Sequence, residues 1–99
     1  MREYKIIFKN LYFLDLQLIQ DIILRFTFSK NITQNIINEI YSSIFWLRIF
    51  PNRFIEYKYS FRIMTIKWKY KVFYKIDEKN QEVQVYRILF SSSNYDNIF

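Results

Sequence analysis

The chain has one proline, Pro51, and the hydrophobic period changes across it. Before Pro51 apolar residues recur every three or four positions; after it they alternate or run together. A period near 3.6 makes an apolar stripe only on a helix, and a period of two only on a strand. A chain carrying both in separate blocks is expected to lay helices against a sheet, the α+β arrangement.

Residues Glu3 to Phe8 (EYKIIF) read as a short first strand, which Asn10 can end and follow with a helix cap. Leu11, Leu14, Leu18, Ile22 and Phe26 then mark a helix, and Ile19 and Ile23 widen its apolar face. Ser29-Lys30-Asn31 breaks it, and Asn31 with Gln34 has the spacing of a capping box. Ile32, Ile36, Ile37, Ile40, Ile44 and Leu47 mark a second helix that Pro51 stops near Ile49 or Phe50. Asn52 is a candidate for the left-handed position after it. Phe61 to Lys67, Lys69 to Ile76 and Glu82 to Phe90 read as strands, with a polar hairpin at Asp77 to Gln81. Asn80 is the best candidate there for positive φ. The expected topology is β-α-α-β-β-β, a helical hairpin on one face of a small, mostly antiparallel sheet. One domain is expected over residues 1–99.

Histidine, cysteine and glycine are all absent. No thiolate nucleophile, disulfide, imidazole base or His/Cys metal site is possible, and no glycine-rich phosphate loop. No metal or cofactor is expected. The apolar run Leu11 to Leu14 is interrupted at Asp15, and Asp21 and Arg25 follow, so no membrane span is expected and the chain reads as cytoplasmic.

The net charge is +6, and it is concentrated. Arg53, Lys58, Arg62, Lys67, Lys69, Lys71 and Lys75 stand against Glu56 alone between positions 53 and 75: seven minus one is the whole excess. Such a segment suits an acidic or polyanionic partner. Alternation on the third strand points Tyr70, Val72, Tyr74 and Ile76 toward the helices and Lys69, Lys71, Phe73 and Lys75 away. If Ile88 packs under the helices, Val85, Arg87 and Leu89 join Phe73 and Lys71 on the open face. A face half apolar and half cationic is expected to be a docking surface.

A short strand, a helical hairpin ending in IFPNRF (Ile49 to Phe54), and the run FRIMTIKWKYKVFYKIDEKNQEVQVYRILFSSSNY (Phe61 to Tyr95) together resemble the RelE/ParE family of type II toxin–antitoxin toxins. The resemblance lies in an Arg ahead of a strand, the strand Tyr70-Lys71-Val72-Phe73-Tyr74, a charged hairpin and the YRIL ending. It implies a small toxin silenced by a cognate antitoxin and aimed at DNA gyrase or at messenger RNA on the ribosome. In the ribonuclease case Arg62 and Lys71 would hold the phosphate, Arg87 would stabilise developing charge and Tyr95 would transfer a proton. In either case Arg62, Lys71, Phe73, Val85, Arg87 and Leu89 are the expected target or antitoxin contacts. The family often ends its last strand with a His, a Gly and basic residues, where this chain has Phe90, Ser91, Ser92 and Ser93. Loss of a preorganised cation commonly costs about 2.7–4 kcal/mol of transition-state stabilisation, which favours the ParE-like branch. A toxin reduced to antitoxin binding is the further alternative.

Overall fold

The computed structural model describes residues 3–93. Strand β1 (Lys5–Phe8) leads into α1 (Asn10–Thr27) and α2 (Lys30–Phe45). Two short 3-10 turns follow, Trp46–Arg48 and Pro51–Arg53, and then β2 (Arg62–Ile66), β3 (Tyr70–Asp77) and β4 (Glu82–Phe90). The sheet order is β1-β4-β3-β2, with β1 parallel to β4 and the other pairs antiparallel. The expected α+β class and element order hold. The two helices cover one face of a mixed four-stranded sheet, over a core of Ile19, Ile40, Ile44, Met64, Val72, Tyr74, Val83 and Ile88. Each such aliphatic side chain contributes about 1.5–3 kcal/mol by leaving water.

Helix α1 ends on Phe28, whose left-handed backbone (φ 52°) sends its N–H back to the Leu24 carbonyl. Ser29 then caps α2: its backbone is extended and its hydroxyl accepts from the Ile32 N–H at 3.1 Å. This corrects the capping box expected at Asn31 and Gln34. Asn31 already lies inside the helix, and the Gln34 amide bonds Asn38 instead. Lys9, not Asn10, precedes the first helical residue of α1. Asn52 is not left-handed; it sits in the 3-10 turn that Pro51 opens. The left-handed positions fall instead on Phe28, Tyr59, Ser60, Lys67, Trp68 and Gln81. In the last hairpin Asn80 is held by Asp77, which accepts from its N–H and its side-chain amide, and Gln81 takes the positive φ.

Two apolar rows run along α1, and the structure buries the less obvious one. Tyr12, Ile19 and Ile23 face the core, whereas Leu11, Leu14 and Leu18 are 51%, 62% and 59% exposed. The spacing of three and four fits both rows equally, so periodicity alone does not choose between them.

The pleat of β4 is broken once. Tyr74 pairs with Val85 and Phe73 with Arg87, which leaves Tyr86 as an extra residue in β4. A bulge of this kind reverses which face each later residue takes. Val83 and Val85 point into the core before it, and Ile88 does so after it. Val85 therefore does not join the open face as uniform alternation predicts.

Candidate functional site

The sheet face turned from the helices follows from register, because directly paired residues share a face. Thr65, Lys71 and Leu89 form one row and Ile63, Phe73 and Arg87 the next. Lys75 pairs with Gln84 beyond the bulge. Lys71, Ile63 and Leu89 are half-buried. The apolar and cationic character expected of this face is present, although its membership differs from the expected one.

Phe73 lies in the expected row, but its side chain is fully buried, as is that of Val85 in the core. Neither offers surface to a partner. Arg62 is displaced to the other side. It pairs opposite Tyr74, and its guanidinium donates to the carbonyls of Phe54 (2.6 Å) and Asn52 (3.4 Å). Tyr74 fastens the same loop from within, its hydroxyl donating to the Pro51 carbonyl at 2.6 Å. Burial pushes the Tyr74 phenol up to about 12, with the Arg62 charge pulling the other way. Arg62 and Lys71 thus occupy opposite faces of the sheet and do not converge on one phosphate.

Arg87 is also committed. Its Nε and one terminal nitrogen hold the two Asp15 oxygens at 2.6 and 2.9 Å. The same carboxylate accepts from the Ile88 N–H at 3.2 Å. β1 pairs with β4 only as far as Val85, so Asp15 of α1 supplies the acceptor where the ladder stops. Hydrogen bonding to Asp15 raises the Arg87 guanidinium still further above its ordinary value, against the opposing effect of burial. The fork geometry makes this a strong, oriented pair, and it draws Arg87 away from a role toward an incoming anion. Tyr95 lies outside the described residues.

The bulge exposes a group that strand alternation did not assemble. Tyr86 packs edge-on against Phe61 at 5.1 Å between ring centroids. The Lys75 ammonium stands 4.5 Å from the Phe61 ring centre and 5.6 Å from that of Tyr86. Lys9, from the junction of β1 and α1, brings a second ammonium to 5.6 Å from the Tyr86 ring. Lys75 carried a sequence signal, as an outward lysine on the third strand. Lys9 and Phe61 are remote in sequence, and nothing local announces them.

Among the described residues no group of three or more His, Cys, Asp or Glu side chains is placed to hold a metal ion. Among them, too, no helix is long and apolar enough to cross a membrane.

No protein-family model and no curated protein matches this chain. Solved structures do. A chain of the chromosomal ParDE toxin–antitoxin system from P. aeruginosa superposes with a TM-score of 0.75 at 16% identity, covering 87% of this chain and 94% of that one. A chain of the RelBE2 toxin–antitoxin complex from Mycobacterium tuberculosis superposes with a TM-score of 0.61 at 15% identity, covering 94% and 97%. The fold is therefore the RelE/ParE one.

Proposed function

We propose that this chain is the toxin of a two-protein toxin–antitoxin system, of the ParE-like kind. It acts by binding DNA gyrase and is silenced by a cognate antitoxin laid on the open face of the sheet. The observation that carries the reading is the superposition on a chain of a ParDE system over nearly the whole length of both. Fold alone does not assign activity, so the site must agree with it. Two features favour binding over phosphodiester cleavage. Arg87 is locked to Asp15, and Arg62 is turned to the helix side, so the cations that would gather round a scissile phosphate are dispersed. Lys71 and Leu89, paired across β3 and β4 on the face turned from the helices, are the proposed contacts.

Induction of the chain alone is expected to arrest growth, and co-expression of a short acidic protein from the adjacent reading frame to restore it. Purified chain is expected to inhibit gyrase supercoiling or to trap cleaved DNA. Discrete cuts in translated messages that vanish in Lys71→Ala, with gyrase unaffected, would replace this reading with a ribosome-dependent endoribonuclease. A harmless induction phenotype combined with tight antitoxin binding would leave only the binding role.

A further inference from the structure

We infer that Lys9, Lys75, Tyr86 and Phe61 form an anion-recognition site on the open face, and that its occupant is a carboxylate of an acidic, partly apolar peptide segment. The inference rests on the toxin–antitoxin reading, since the segment it implies belongs to the antitoxin.

Two ammonium groups approach one ring from different elements, Lys9 at the end of β1 and Lys75 on β3. Each is half-buried, and neither is ion-paired with a described carboxylate. A cation–π contact at a partly exposed site is weak, so each ammonium keeps the capacity to take a carboxylate as well. The aromatic edge-to-face pair beneath restricts where the lysine stems can lie. Tyr86 is there because of the bulge, which gives β4 an extra residue at that position. Its hydroxyl is turned to Gln84 at 3.2 Å, which fixes the ring that both ammoniums approach.

The occupant's chemistry follows from what surrounds the rings. Lys75 lies over the Phe61 ring and both lysines stand over the Tyr86 ring, so both rings are engaged by ammonium groups and are not presented as a stacking platform for bases. Single-strand nucleic-acid sites depend on such stacking platforms. Half-buried Ile63 and Leu89 on the same sheet face supply the apolar neighbours that a peptide with alternating acidic and aliphatic residues would cover.

The probe is a synthetic peptide of alternating Glu and Leu, titrated into isotope-labelled chain at low salt and followed by amide chemical shifts. A single-stranded oligothymidylate of equal charge is titrated in parallel. The peptide is expected to shift the amides of Lys9, Lys75 and Tyr86. Lys9→Gln and Lys75→Gln should each weaken it roughly two- to fivefold, the scale of a partly exposed ion pair. Lys79→Gln removes the same charge from the exposed hairpin loop and should change binding little. Unchanged circular dichroism and melting temperature in the lysine variants certify that they fold. Peptide shifts that map elsewhere, or equal losses in Lys79→Gln, overturn the site. Tighter binding of the oligothymidylate at the same amides overturns the occupant. The titration does not depend on toxicity, so a failed growth assay and a failed anion site are distinguished.

Discussion

Asp15 and Arg87, 72 positions apart, meet as a two-point ion pair with both side chains largely buried, 11% and 18% exposed. The pair joins α1 to the half of β4 that β1 does not reach, and Asp15 also satisfies the Ile88 N–H. Removing one partner strands the other charge. A fully buried pair broken this way costs about 3–5 kcal/mol, and residual water access should bring Asp15→Asn to about 2–3 kcal/mol. Urea unfolding measures it. The double variant Asp15→Asn with Arg87→Gln should cost clearly less than the sum of the two single changes, and strict additivity would contradict the pairing.

Alkaline pH should unfold the chain through its buried phenols. Burial raises both Tyr12 and Tyr74 from 10.0 to about 12, with a smaller push on Tyr12 from Tyr41. In the unfolded chain they ionise near their ordinary value, so between pH 10 and 12 the folded state holds protons the unfolded state has released. Stability is therefore fully present below pH 10 and falls as pH rises toward 12, by about 2 kcal/mol for each tyrosine. Tyr74→Phe should flatten roughly half of that slope. At neutral pH it should cost about 1 kcal/mol through the lost bond to the Pro51 carbonyl. Denaturant midpoints across the pH series give both quantities.

The hairpin tip at Lys67 and Trp68 should be easy to improve. Both residues have positive φ, 51° and 62°, between Ile66 and Lys69, whose N–H returns to the Ile66 carbonyl. Two consecutive left-handed residues are the conformation that Asn-Gly supplies at least cost. Trp68 is 89% exposed, so replacing it sacrifices little packing. Trp68→Gly is expected to stabilise the fold by about 1 kcal/mol, which for a domain of this size raises the melting temperature by about 4–8 °C. A lower melting temperature would show that the indole packs in a way its exposure conceals.

Leu11, Leu14 and Leu18 should govern self-association of the free chain without supporting its fold. Leu14→Lys with Leu18→Glu is expected to shift the sedimentation profile toward monomer while stability changes by less than about 0.5 kcal/mol each. Ile19→Lys on the opposite row should abolish folding, because it buries an unpaired charge at a position only 2% exposed. Equal loss of fold in both variants would refute the assignment of the two rows.

Val85 and Leu89 should separate core from surface in the same strand. Val85→Ala removes a fully buried side chain and is expected to cost about 2 kcal/mol. Leu89→Ala, from a half-buried position on the open face, should cost less and should act mainly on partner binding. Parallel unfolding curves and antitoxin-binding titrations test the contrast.

Local chemistry in the sequence was enough for the order of elements, the α+β class and the extent of β4. Those depend on hydrophobic period, on Ser29 as a boundary, and on polar hairpins, all of which act over a few residues. Pro51 did not mark the end of the second helix, since α2 stops at Phe45 and Pro51 opens a later 3-10 turn. The charge excess in 53–75 was equally legible, and so was the outward placement of Lys71 and Lys75. What depended on contacts across the fold was not. One extra residue at Tyr86 reverses the pleat, moves Val85 into the core and builds the Lys9–Tyr86–Lys75 group, although nothing in EVQVYRILF marks the bulge. Helix α1 carries two apolar rows of equal period, and the anchoring of Asp15 on Arg87 and Ile88 accompanies the burial of one of them. Periodicity describes a helix or strand in isolation; only packing against its neighbours decides which side of it becomes the interior.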